Sequence, residues 1–171
     1  HLGRPTFNDP QFSLAHIVNS VQDVLCVKVL FSSDCVGEKA SQMASELQPG
    51  QVLLLENLRY HKEETLGDLK FAEKLSALAD IYINDAFGTA HRAQASTTGV
   101  AQFLPSAKCF GLLLAKEIEC INKVMISGEK PVLAILGGAK VSSKITIIEN
   151  ILDKIDHLII GGGMSFTFVK S

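Results

Sequence analysis

Leu14, Ile17, Val18, Val21 and Leu25 recur at the three-to-four-residue spacing that gives a helix one apolar face. The run 27–31 that follows, apolar apart from Lys28, predicts a strand. Ala40, Met43, Ala44 and Leu47 mark a second helix, which Pro49-Gly50 stops. Val52 to Leu55 predicts a second strand. Phe71, Ala72, Leu75 and Leu78 predict a third helix, and 81–83 a third strand. Beyond a polar tract, 112–121 has the length and spacing of a longer helix. Strand 132–136, helix 143–152, strand 157–160 and a helix from Met164 onward complete the pattern. The cluster Ser127-Gly128-Glu129-Lys130-Pro131 marks a hinge, since a proline disfavours helix in the residue before it.

Strand and helix alternate throughout, which implies parallel sheets with helices packed outside. The strands are short unbroken apolar runs, as expected where both sheet faces are covered. The expected fold class is α/β, with parallel sheets and flanking helices, spanning two sheets divided near Gly128. A chain of 171 residues suffices for one sizeable domain, or for one domain and part of another. A domain of that size buries about 70% of its unfolded surface and needs no disulfide staple. The 47% apolar and 20% charged content fits a globular protein, not a disordered one.

A net charge of −2 argues against a general nucleic-acid binder. Cys26, Cys35, Cys109 and Cys120 lie too far apart for metal spacing and sit in or beside apolar segments. We read all of them as buried reduced thiols in a reducing compartment. No apolar run approaches the roughly 20 residues that span a bilayer, and no charged-then-apolar leader opens the chain. A cytoplasmic protein without a nucleic-acid or membrane partner is expected. Starting at His1 and ending at Ser171, the chain has the look of a piece of a longer protein.

In open α/β sheets ligands bind beyond the carboxyl ends of the strands, so the residues after each strand carry the candidate chemistry. Glu56-Asn57-Leu58-Arg59 follows the second strand, and the tract 84–92, which ends in His91-Arg92, follows the third. A third arginine, Arg4, sits in the loop-like His1-Leu2-Gly3-Arg4-Pro5. Arginine presents a planar fork of donors suited to carboxylate or phosphate. Any one of these arginines alone reads as a solvated surface group; together, at irregular loop positions, they suggest a small-anion pocket.

The later strands end in Gly137-Gly138-Ala139-Lys140 and Gly161-Gly162-Gly163. Glycines there allow sharp turns and close ligand approach, and a helix starting near Ser142 or Ser143 would aim free N–H groups at an anion. Lys140 and Lys144, four positions apart, would share one helical face if both were helical. The glycines could equally serve tight strand–helix packing. Neither a Walker loop nor the dinucleotide fingerprint is present, and no serine sits in a nucleophile elbow. His16, His61 and His157 lack carboxylate or Cys partners at ligand spacing, and Glu63-Glu64 reads as a solvated loop face.

At these strand ends the chain resembles the phosphoglycerate kinase family. The matching motifs are His1-Leu2-Gly3-Arg4-Pro5, Leu54-Leu55-Glu56-Asn57-Leu58-Arg59, the tract 84–92, Ala134-Ile135-Leu136-Gly137-Gly138-Ala139-Lys140-Val141 and Ile159-Ile160-Gly161-Gly162-Gly163-Met164. They stand in the family's order and run through the whole chain.

The resemblance implies two Rossmann-like lobes, the first incomplete at its start and the second largely missing. Residues 1–108 would be the phosphoglycerate-binding lobe, 109–130 an interdomain helix and hinge, and 131–171 the start of the nucleotide lobe. It implies reversible phosphoryl transfer between 1,3-bisphosphoglycerate and ADP, giving 3-phosphoglycerate and ATP, with Mg2+ accompanying the nucleotide. His1, Leu2, Gly3, Arg4, Arg59 and Arg92 match the family's phosphoglycerate side. Gly137, Gly138, Ala139, Lys140, Lys144, Gly162 and Gly163 match its nucleotide side. Lys140 resembles the lysine that neutralises the phosphoryl group in flight, and Lys144 the one that holds nucleotide phosphates.

Two positions depart from the family pattern. Ser143 stands where members often carry an Asp near the metal, and Gln94 where many have a second His; Gln94 is assigned no role. The family's first strand and its catalytic arginine match nothing after His1, and its later phosphate loop nothing before Ser171. The isolated chain is therefore expected to be inactive or nearly so. A truncated, non-catalytic phosphoglycerate-binding module is the alternative.

Overall fold

The apolar runs become strands, and each described strand pairs in parallel with another. A computed structural model describes residues 1–6, 9–126, 128, 130–138 and 144–170. It divides into two compact units, His1–Gly111 and Leu112–Ser171.

In the first unit β1 (Val29–Ser32) lies parallel to β2 (Val52–Leu55), with Val29 opposite Val52 and Ser32 opposite Leu55. β3 (Tyr82–Asn84) lies parallel to β4 (Lys108–Phe110), with Tyr82 opposite Lys108. A single turn of 3-10 helix, Leu14–Ile17, leads into α1 (Val18–Leu25). The helices α2 (Glu38–Ser45), α3 (Lys62–Leu66), α4 (Leu69–Ser76) and α5 (Val100–Phe103) follow.

α4 starts where Asp68 accepts a hydrogen bond from the Phe71 N–H at 2.8 Å, filling one of the orphan donors of a helix start. It turns Phe71 and Ala72 inward against Ala95 and Val100, and these four form the buried apolar cluster of the unit. Gly99 lets the backbone come close there, since a Cβ on it would stand 2.8 Å from the Ala72 Cβ. Between α3 and α4 the chain turns through Gly67, whose φ of +69° is left-handed. A side chain at Gly67 would meet the Ala93 carbonyl oxygen at 2.7 Å.

The second unit contains α6 (Leu112–Met125), β5 (Leu133–Leu136), α7 (Ile145–Ile151), β6 (His157–Ile160) and α8 (Gly163–Lys170). β5 and β6 pair in parallel, Leu133 opposite His157 and Leu136 opposite Ile160. Leu114, Val132, Ile148 and Met164 are its buried apolar side chains. Asp156 fixes the start of β5: its carboxylate accepts the Val132 N–H at 2.7 Å and the Lys130 ammonium at 3.0 Å.

Several expectations need correction. Two sheets were expected, whereas the described strands form three separate two-stranded ladders; an apolar run marks a strand but not its partner. β4 escaped the sequence pattern because its three residues are all exposed and it opens on Lys108. Of the four thiols only Cys35 is buried. Cys26 is a left-handed cap after α1, Cys109 lies on exposed β4, and Cys120 faces outward from α6. Glu63-Glu64 lies in α3, not a loop, and Glu64 is fully buried.

Candidate anion site at the strand ends

Immediately after β2 the chain anchors itself with its own side chains. The Glu56 carboxylate accepts the Leu14 N–H at 2.8 Å and the Ser13 hydroxyl at 2.6 Å. The buried Asn57 then uses its whole amide. Its Oδ1 accepts from the N–H groups of Leu2 and Arg59 at 3.3 and 3.2 Å, and its Nδ2 donates to the carbonyls of Leu2 and Phe12 at 2.8 and 3.0 Å. An amide satisfied on both ends costs little to bury and fixes two chain segments together. Asn57 thus starts the 3-10 turn Leu58–Tyr60, which carries Arg59, and holds the 1–6 segment, which carries Arg4.

Gly3 completes the join. Its φ is +58°, the Phe12 ring fills the place of a side chain, and its carbonyl accepts from Arg59 Nη1. Arg92 reaches the same place from the tract after β3. Its N–H donates to the Thr89 carbonyl at 2.9 Å, and its Nε lies 3.4 Å from His91 Nε2.

Arg4, Arg59 and Arg92 line one pocket of about 580 Å3, which Lys62 and His61 also line. Burial, followed by the charges of Arg92 and Arg4, pushes the Arg59 guanidinium below its ordinary value. Its Nε is buried without a hydrogen-bond partner. Like charges held this close, with a donor left unused, favour an anion between them.

His1, Leu2 and Gly3 do not line the pocket; Leu2 and Gly3 meet Asn57 and Arg59 through their backbone. Lys62 was missed, although a cation three residues after Arg59 was a legible signal. His61 does have a carboxylate partner, Asp34 at 3.3 Å, which sequence spacing could not reveal because the two lie on different elements. Gln94 is buried at the start of a π-helical turn, Ala95–Gly99, and its N–H donates to the Thr97 hydroxyl at 3.0 Å.

In the second unit the glycine runs lie side by side beyond β5 and β6. A Cβ on Gly137 would stand 3.8 Å from the Gly161 carbonyl, and one on Gly162 would stand 3.8 Å from the Gly138 nitrogen. Gly138 at +133° and Gly162 at +65° hold conformations that side chains resist. Gly163 opens α8. Lys144 places its ammonium on the Gly137 carbonyl at 2.6 Å. It stands just before α7 and not within it, so the shared helical face expected with Lys140 does not include it as helix. Ala139, Lys140 and Ser143 lie outside the described residues.

Parallel ladders, flanking helices and a pocket of arginines beyond the strand ends make this an α/β protein with a cationic ligand-sized cleft. The family model of phosphoglycerate kinase matches residues 1–171. The phosphoglycerate kinase of Acidobacterium capsulatum is 50% identical over 178 residues, covering 100% of this chain and 44% of its own length. The cytosolic phosphoglycerate kinase of Triticum aestivum is 51% identical over 172 residues, covering 100% of this chain and 42% of its own. Among solved structures, phosphoglycerate kinase from Coxiella burnetii superposes with a TM-score of 0.81 at 39% identity, over 99% of this chain and 42% of that one. The enzyme from Pyrococcus horikoshii OT3 gives 0.82 at 32% identity, over 99% and 44%. The chain belongs to the phosphoglycerate kinase family, and spans less than half the length of these relatives.

Proposed function

We propose that the full-length protein carrying this chain is a cytoplasmic, monomeric phosphoglycerate kinase, a phosphotransferase with a carboxyl group as acceptor. It moves a phosphoryl group reversibly between 1,3-bisphosphoglycerate and ADP, giving 3-phosphoglycerate and ATP. The convergence of Arg4, Arg59 and Arg92 on one pocket carries the reading. In the direction of ATP formation a terminal ADP oxygen forms a bond to the acyl phosphorus, the bond from phosphorus to the carboxyl oxygen breaks, and carboxylate leaves. Such a transfer needs positioning and charge neutralisation more than covalent help.

The arginines hold the phosphoglycerate, with His1, Leu2 and Gly3 contributing as backbone support. Gly137, Gly138, Ala139, Gly162 and Gly163 let the nucleotide approach, and Lys140 and Lys144 meet its phosphates. Among the described residues no three His, Cys, Asp or Glu side chains converge. Magnesium would accompany the nucleotide, whose phosphate oxygens suit it. No helix among the described residues is long and apolar enough to cross a membrane.

On its own the 171-residue chain is expected to bind without turning over: it spans less than half the length of its relatives, and the family's catalytic arginine, a group worth roughly 10³–10⁵ in rate, matches none of its residues. Calorimetry with 3-phosphoglycerate is expected to show binding that Arg59→Ala weakens roughly ten- to hundredfold. A coupled kinase assay is expected to stay at background. A folded chain that gives no binding heat would sink the pocket assignment, and ordinary turnover would refute the inactivity. The alternative, a non-catalytic phosphoglycerate-binding module, predicts that the full-length protein is inactive as well.

A further inference from the structure

Glu64 has no solvent exposure. A carboxylate in that position is costly unless its oxygens are engaged. Both are, and by a single residue: Oε2 accepts the Ser96 N–H at 2.9 Å and Oε1 the Ser96 hydroxyl at 2.6 Å. Ser96 sits in the π-helical turn Ala95–Gly99, whose next residue, Thr97, donates its hydroxyl to the Arg92 carbonyl at 2.7 Å. An unbroken chain of contacts therefore runs from Glu64 through Ser96 and Thr97 to Arg92.

At its other end Glu64 belongs to α3, which follows directly on the 3-10 turn bearing Arg59. Its negative charge also acts on Arg59, opposing the depression that burial, Arg92 and Arg4 impose. The two arginines come from different strand ends, 33 positions apart (92 − 59). The Glu64–Ser96 contacts join the helix after Arg59 to the turn after Arg92.

We propose that Glu64, acting through Ser96, is a positioning residue of the anion pocket, setting Arg92 at the spacing from Arg59 that one small phosphorylated carboxylate bridges. The proposal rests on the phosphoglycerate reading above and deepens it. Geometry, not charge, is the essential contribution. Glu64→Gln can still accept the Ser96 N–H and can donate to its hydroxyl, so it is expected to keep affinity within about threefold of wild type. Glu64→Ala and Ser96→Ala cannot complete the link.

The test compares these three variants with the wild-type chain, by calorimetry with 3-phosphoglycerate and by hydrogen exchange at the Gln94 amide, which reports Thr97. Circular dichroism checks that each is folded. Ser96→Ala is expected to stay folded, to bind roughly tenfold more weakly, and to exchange Gln94 faster. Glu64→Ala is expected to weaken binding further, with rescue by Glu64→Gln. Should Glu64→Ala fail to fold, Ser96→Ala decides alone. Folded Ser96→Ala with wild-type affinity would overturn the proposal, as would Glu64→Gln as weak as Glu64→Ala. A wild-type chain that does not bind 3-phosphoglycerate counts against the pocket reading instead. Gln94 exchange then judges the link by itself: faster exchange in Ser96→Ala upholds it, and unchanged exchange removes it.

Discussion

Arg59 keeps a buried Nε without a partner while its Nη1 is spent on the Gly3 carbonyl. One guanidinium thus has a structural edge and a waiting edge. Cys35 is its opposite, a group sealed away from chemistry: the thiol donates to the Glu56 carbonyl at 2.9 Å, and burial, helped by Asp34 and Glu56, pushes it up to about 12. Reactivity follows the thiolate, so a thiol reagent near neutral pH is expected to modify Cys26, Cys109 and Cys120 promptly, and Cys35 only on unfolding. Mass mapping of the modified peptides checks this, and prompt labelling of Cys35 would contradict its burial. The arginines were legible in the sequence because they follow apolar runs at irregular positions. Glu64 was not, since an acid beside another acid looks like surface, and the Ser96 that receives it lies 32 positions on.

Among the elements, Val52–Leu55 and His157–Ile160 fall where apolar continuity places them. α3 and the π-helical turn were invisible, because each is five residues long and too short to show a period. The start of β5 depends on one carboxylate. The Val132 N–H, then Lys130, hold Asp156 below the usual carboxylate range. A carboxyl whose folded value lies below its unfolded value of about 3.9 adds stability at neutral pH and loses it as pH falls through the folded value. Asp156→Asn is therefore expected to lower the thermal midpoint of the second unit near neutral pH, and the gap from wild type to close as pH falls through the lowered folded value. A gap that persists in acid would mean that the charge of Asp156 is not what holds the strand start.

Across the whole chain the two units differ in how much they hide. The first has a clustered core at Phe71, Ala72, Ala95 and Val100. In the second, Ile135 on β5, Phe166 and Val169 on α8 are 69%, 78% and 88% exposed. Local opening is easiest where few apolar contacts resist it. Amides of α4 are expected to exchange with solvent at least about tenfold more slowly than those of β5 and β6, and equal protection would show the difference in burial to be without energetic weight. The alternation of strands and helices announced the α/β class, and five ordered motifs announced the family. Which strands pair was not legible, because pairing depends on distant chain segments and not on the local apolar pattern. Gly67 carries a last consequence. It bears no charge and lies outside the pocket, yet its missing side chain leaves the space that the Ala93 carbonyl occupies, next to Arg92. A methyl group there is a wedge driven against the neighbour of a ligand-facing arginine. Variation at this plain turn therefore bears on the backbone beside Arg92, and a survey that weighs only charged positions passes over it.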